Sequence, residues 1–235
     1  MELSNVVNRF TSFALKAGTI IAGLASIALG LLYTKQDSLL YFPSIGGVPR
    51  RPHENPRGYR NPGEHEIPYE NHMITTSDGA TIHSYLLLHP TDNKKNYSYK
   101  SFSSSIVRPT IIYFHGNAGN IGLRLPNAIK MYHKLQANIF LVEYRGYGDS
   151  SDHPPTEAGL KLDSEAALHF IQDYYIERQM QQYNSQLFIF GRSLGGAVGF
   201  HLAHYAQRKG IPLAGLIVEN TFLSIGKVSF LCVIK

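Results

Sequence analysis

The sequence predicts an α/β fold: a mostly parallel sheet flanked by helices, with an antiparallel hairpin at its N-terminal side. Three observations carry this. Short unbroken apolar runs at 110–114 (TIIYF), 137–143 (ANIFLVE), 187–190 (LFIF) and 213–219 (LAGLIVE) have the composition of strands buried on both faces. They alternate with longer helix-forming segments, the pattern that builds right-handed βαβ units. Between one such strand and one such helix stands Gly191-Arg192-Ser193-Leu194-Gly195, which reads G-x-S-x-G.

Taken in order, the chain first presents residues 17–33 (AGTIIAGLASIALGLLY), which carry no charge. With Phe13-Ala14-Leu15 in front they approach the ~20 apolar residues that cross a bilayer core, and Lys16 can snorkel. The reading is a membrane-anchor helix within an N-terminal segment 1–36. A cleaved signal peptide and a buried core helix compete with it; the run is long for the first and lacks the polar face of the second. Arg9 and Lys16 precede the run and Lys35, Arg50 and Arg51 follow it, so charge does not set an orientation. Residues 37–70 are expected to be a Pro-rich linker lying extended along the domain. Six of the chain's twelve prolines fall between 43 and 68, a density that precludes long helices and central strands. Within it, 39–43 (LLYFP) is expected at a membrane interface or docked on the domain.

The folded domain is expected over 71–225. Residues 73–76 and 80–88 flank Asp78-Gly79, a hairpin signal because Gly tolerates positive φ. Residues 90–105 read as a polar surface loop and contain the sequon Asn96-Tyr97-Ser98. The strand at 110–114 runs into His115-Gly116-Asn117-Ala118-Gly119-Asn120, followed by a helix over 123–135. The strand at 137–143 ends in Tyr144-Arg145-Gly146-Tyr147-Gly148. A helix over 156–175 is marked by Leu160, Ala167, Phe170, Ile171 and Tyr174 at helical spacing. The strand before Ser193, a helix over 197–206 and the strand at 213–219 complete the domain.

Composition narrows the function classes. Of 235 residues, 43% are hydrophobic, which is globular rather than disordered. The net charge of +5 comes without a basic recognition helix, RNP-like strand or zinc spacing, so no nucleic-acid partner is expected. A single cysteine, Cys232, allows neither an internal disulfide nor a cysteine metal cluster. No cofactor and no metal are expected.

The chemistry-bearing residues lie at two strand ends. A strand, a glycine-flanked serine and a helix together form the context of a nucleophile elbow. Gly191 and Gly195, lacking Cβ atoms, let strand and helix close around Ser193, and the Leu194 N–H faces a developing oxyanion. The blander reading is a tight strand–helix turn with an ordinary serine. The second motif decides against it: the His115-Gly116-Asn117 loop leaves a strand of the same parallel sheet, so both loops reach the same rim. There Asn117 or Ala118 can supply the second oxyanion N–H.

The combination of residues resembles the α/β-hydrolase superfamily, and within it the Bem46-like branch of membrane-anchored serine hydrolases. The carrying residues are the apolar N-terminal run with Leu40-Tyr41-Phe42-Pro43, then Tyr113 to Asn120, Tyr144 to Gly148, Phe190 to Gly196, and Val218-Glu219-Asn220-Thr221-Phe222. The resemblance implies an α/β-hydrolase fold and a single-pass type II anchor with the domain on the non-cytosolic side. It implies Ser193 as nucleophile in a Ser–His–Asp triad. It also implies an acyl-bearing small-molecule, lipid or protein substrate. His115 and Gly116 support the oxyanion loop in this pattern, His115 as a brace rather than a base. The expected acid and histidine do not follow. After Ser193 the histidines are His201 and His204 and the carboxylate is Glu219. His201, eight residues into the helix, lies about 12 Å from its start, too far to bond Ser193. Glu219 is expected to be structural, its carboxylate bonding the loop that follows. Residues 226–235 (GKVSFLCVIK) depart from the family pattern. Gly-Lys-Val-Ser is what reading through a splice donor yields, so the expectation is a divergent tail on a domain incomplete at its C-terminus. The alternative function is a non-catalytic, membrane-tethered α/β fragment.

Overall fold

The computed structural model describes residues 2–44, 46–89, 108–178 and 186–221. The expected surface loop at 90–105 and the tail at 226–235 lie outside the described residues. The chain divides into two units, 1–40 and 41–235.

The first unit is one helix, α1 (Glu2–Leu40). It continues past the boundary expected at 36, since Gln36-Asp37-Ser38-Leu39 contains no helix breaker. Within Val7–Leu40 an 18-residue stretch has a mean hydropathy of 1.8 and none of it is buried, which makes the helix a candidate membrane span. The hydroxyls of Thr11, Thr19, Ser26 and Thr34 donate to carbonyls three or four residues back. These polar groups are therefore satisfied within the helix, as an apolar solvent requires.

The second unit begins at Tyr41 and takes in residues 41–68. Prolines start two one-turn 3₁₀ helices, Pro52–Glu54 and Pro62–His65, and Pro52, Asn55, Pro62 and Ile67 are buried. The Asn55 side-chain amide donates to Asn120 Oδ1 at 2.8 Å and to the Tyr59 carbonyl at 2.8 Å. Proline density excluded long elements, as expected, but short turns with buried prolines pack as well as longer ones do.

The sheet has six strands: β1 (Tyr69–Thr75), β2 (Thr81–Leu87), β3 (Thr110–Phe114), β4 (Asn138–Val142), β5 (Leu187–Arg192) and β6 (Gly215–Glu219). Their spatial order is β1-β2-β4-β3-β5-β6. The β1–β2 and β2–β4 pairs are antiparallel, and β4, β3, β5 and β6 run parallel. The hairpin thus adds antiparallel strands to one edge of a parallel sheet, the predicted arrangement. Strand β1 starts at Tyr69, earlier than its apolar signal, because an edge strand alternates exposed and buried positions and its first residues are polar. Gly79 closes the hairpin turn with φ 86°.

Helices cover both faces. On one, α2 (Leu125–Leu135), entered through a 3₁₀ turn at Ile121–Arg124, packs Leu125, Ala128 and Tyr132 on Ile111, Tyr113, Ile139, Leu141 and Phe190. On the other lie α3 (Glu157–Glu177) and α4 (Leu194–Lys209), where Phe170 meets Phe140 at 5.5 Å between ring centroids. Thr156 caps α3, accepting the Gly159 N–H. All five positions of β3 and of β4 are buried, which explains their unbroken apolar runs.

One ion-pair cluster ties the hairpin to the helical layer. Arg145 donates through its two terminal nitrogens to Asp78 at 2.6 and 2.9 Å, and through its backbone N–H and Nε to Asp163, both at 2.9 Å. Burial pushes the Asp163 carboxyl up to about 6. The Arg145 guanidinium instead holds Asp78 well below its ordinary value of 3.8. A carboxyl depressed in the folded state contributes stability that is present above its unfolded value and is lost as pH falls toward the folded one. Asp78→Asn should therefore melt below the native chain at pH 7, with the gap closing as pH is lowered through about 4. Thermal unfolding in detergent across that range tests this, and a gap constant with pH would refute it.

Candidate active site

Ser193 follows the last residue of β5 and precedes the first residue of α4. Its backbone sits at φ 53°, ψ −118°, a conformation costing a non-glycine residue about 1–3 kcal/mol. Three hydrogen bonds hold it there. The Ser193 N–H donates to the Glu219 carbonyl at 2.9 Å, and the Ser193 carbonyl accepts from Gly196 N–H at 2.9 Å and Thr221 Oγ1 at 2.8 Å. The end of β6 thus fixes the corner from outside.

The glycines act by closeness. A Cβ on Gly191 would stand 2.6 Å from Gly196 Cα, and one on Gly195 would stand 2.7 Å from the His115 carbonyl oxygen. The helix therefore starts immediately after Ser193, three residues before its sequence signal at 197, because glycines with low helix propensity are the ones that fit between strand and helix. The first N–H groups of α4, Leu194 included, have no partner within the helix and carry its positive dipole end.

The loop 115–120 lies beside this corner. Strands β3 and β5 are neighbours with Phe114 opposite Gly191, and a Cβ on Gly116 would be 3.6 Å from Ser193 Cβ. Sequence reasoning placed the two motifs on one rim, and the structure brings them into contact. The loop is held from beneath. His115 is fully buried; its Nε2 lies 2.7 Å from Glu143 Oε1, and its Nδ1 lies 2.7 Å from the Gly116 carbonyl. Glu143 Oε2 accepts the Ile121 N–H at 2.8 Å. Tyr144 donates its hydroxyl to the His115 carbonyl and Tyr147 to the Asn117 carbonyl, each at 2.8 Å. Arg124 donates to the Ala118 carbonyl, and Asn120 Nδ2 donates to the Pro49 carbonyl at 3.0 Å. Burial raises the Tyr147 hydroxyl above its ordinary 10, so it stays a protonated donor. Among the described residues all peptide bonds are trans. With the Gly116 and Asn117 carbonyls turned to these partners, the N–H groups of Asn117 and Ala118 in the same peptide planes point the opposite way.

The side chains of the other predicted residues pair elsewhere. His201 Nε2 lies 2.8 Å from Glu165 Oε1 on α3. The Glu219 carboxylate lies 3.8 Å from Arg192 Nε, and its backbone carbonyl holds the corner. Both ring nitrogens of His115 face oxygen acceptors, and neither faces Ser193. Among the described residues no group of three His, Cys, Asp or Glu could hold a metal ion. Sequence reasoning missed Glu143, Tyr147 and Asn55. The one available signal was the carboxylate closing an otherwise apolar strand run.

Comparison with known proteins agrees with this geometry. Residues 109–224 match the family profile described as alpha/beta hydrolase fold. Protein bem46 of Schizosaccharomyces pombe is 38% identical over 87% of this chain and 61% of its own length. An uncharacterized membrane protein of Saccharomyces cerevisiae is 32% identical over 88% of this chain and 62% of its own. The chain spans about three fifths of the length of these curated relatives. Among solved structures, the Pyrococcus furiosus esterase Pf2001 superposes with a TM-score of 0.54 at 16% identity, covering 78% of this chain and 60% of the esterase.

The strained corner predicts a measurable difference between two substitutions. Ser193→Ala keeps the Cβ and its strain, whereas Ser193→Gly releases ~1–3 kcal/mol of strain against ~0.5–1 kcal/mol of glycine chain entropy. The glycine variant should be the more stable of the two by about 1 kcal/mol in urea unfolding. Equal stabilities would show that residue 193 is unstrained.

Proposed function

The chain is a Bem46-like member of the α/β-hydrolase family, and on that premise we propose a serine hydrolase that cleaves acyl esters, thioesters or amides through an acyl-enzyme at Ser193. The observation that carries this reading is Ser193 on a strained strand–helix corner with Gly116 against its Cβ. Attack by Ser193 Oγ on the acyl carbonyl carbon forms a tetrahedral oxyanion. Collapse breaks the bond to the leaving group, which takes up the proton lost by the Ser193 hydroxyl, and water then adds to the acyl carbon, releasing the acid and returning a proton to Ser193. The oxyanion falls between the Leu194 N–H at the start of α4 and the Asn117 or Ala118 N–H opposite. Those donors are fixed before reaction, which is where their catalytic value lies.

The described residues offer Ser193 no general base. His115 is committed to Glu143 and Gly116, and His201 to Glu165. Without a base, nucleophile and oxyanion hole alone give about 10³–10⁴ over the rate in water. The same commitment of both histidines favours a second reading, a membrane-tethered domain of this fold that binds without turning over. The helix Val7–Leu40 serves in both readings as a single-pass anchor, with the domain on the non-cytosolic side.

A fluorophosphonate probe separates the readings. Labelling of the native chain that disappears in Ser193→Ala is the expected result; a folded native chain that stays unlabelled supports the binding domain. Orientation has its own test. Asn96-Tyr97-Ser98 should carry an N-glycan when the chain is expressed in a secretory pathway, so endoglycosidase should shift the native chain and not Asn96→Gln. A chain insensitive to the enzyme would place the domain on the cytosolic side.

A further inference from the structure

The first residues of the folded unit are bound to the loop beside Ser193. Phe42 donates its N–H to Tyr147 Oη at 3.1 Å and lies 3.4 Å, N to O, from the Asn117 carbonyl. Phe42 and Ala118 form an isolated parallel bridge. The same Tyr147 hydroxyl donates to the Asn117 carbonyl at 2.8 Å, so one phenol joins strap and loop. Tyr41 is buried, while Phe42 leaves 44% of its surface exposed beside that loop.

Leu40, the last residue of the apolar helix, precedes Phe42 by two positions. Two residues of chain reach at most about 7 Å. Phe42, bridged to Ala118, therefore follows the apolar helix by a short stretch of chain. A tether that only kept the enzyme near a membrane would work through any linker. Here the residue two positions after the helix is instead bridged to the loop next to the nucleophile. Long acyl chains are scarce in water because each buried CH₂ is worth about 0.8 kcal/mol, so a site that takes them gains from lying at the bilayer surface. Exposed Phe42 supplies an apolar surface along that short path.

We propose that the site takes the acyl chains of bilayer lipids, drawn from the membrane past the Tyr41–Phe42 strap to Ser193. The inference rests on the serine-hydrolase reading for its chemistry and on geometry alone for its binding step.

The test uses the full chain in phosphatidylcholine vesicles doped with phosphatidylcholine whose acyl chain ends in a photoactivatable diazirine. The chain end sits at the bilayer centre, so it reaches the loop only if the lipid is drawn out. The expected result is adducts at Phe42 and at 116–119 in addition to those on α1. A spacer of ten Gly-Ser residues between Leu40 and Tyr41 leaves every strap hydrogen bond in place and adds ~17 Å of flexible reach. It should lower the loop adducts at least about fivefold and leave the helix adducts unchanged. Adducts confined to α1 in the native chain, or loop adducts indifferent to the spacer, would overturn the proposal. So would release of the acyl group from an S-acylated peptide by a chain whose loop takes no lipid adduct, which assigns the site to acylated proteins. Loop adducts without fluorophosphonate labelling count against Ser193 as nucleophile and for lipid binding.

Discussion

Backbone-to-backbone contact between the start of α4 and the ends of β3 and β5 is the constraint on which the site depends. Adjacent parallel strands leave the sheet at the same edge, so register alone brings residue 115 alongside residue 192. Register does not bring atoms into contact. That requires Gly191 and Gly195, whose missing Cβ atoms are what let the chain of α4 lie against the strand ends. Once that contact exists, Ser193 has no relaxed conformation available.

A corner under strain needs rigid surroundings, and most of the polar residues buried near it serve that end. Glu143 and His115 form a fully buried pair whose outer oxygen is taken by the Ile121 N–H, so the strand end, the loop and the entry to α2 move as one body. A buried pair of this kind contributes little net stability, because desolvation offsets its attraction. Its effect is to leave the loop a single arrangement. Tyr144, Tyr147 and Asn120 act in the same sense through backbone carbonyls, which is why the loop needs no regular secondary structure to be well placed.

Much of this was legible in the chain. Strands buried on both faces leave unbroken apolar runs, and β3, β4 and β5 fall where those runs are. The elbow is legible for a steric reason, since only glycine fits at 191 and 195. The loop at 115–120 declared its position through the strand before it. What stayed hidden was long-range. Asn55 meets Asn120 across 65 residues and Phe42 meets Tyr147 across 105, separations at which local pattern carries no information. Glu143 was hidden differently. A carboxylate closing a strand reads as the point where the chain meets water, and only coordinates show it turned inward. The segment 37–70 was read as a linker because prolines forbid long elements, a rule that says nothing about whether short ones pack.

Among the described residues β6 pairs on one side only, with β5, and Ile217 and Val218 keep 44% and 39% of their surface exposed. Yet the carbonyl of Glu219 at the tip of β6 grips the Ser193 amide, and Thr221 just past it grips the Ser193 carbonyl. Whatever clamps or releases that margin of the sheet will therefore reset the backbone of residue 193 without touching it.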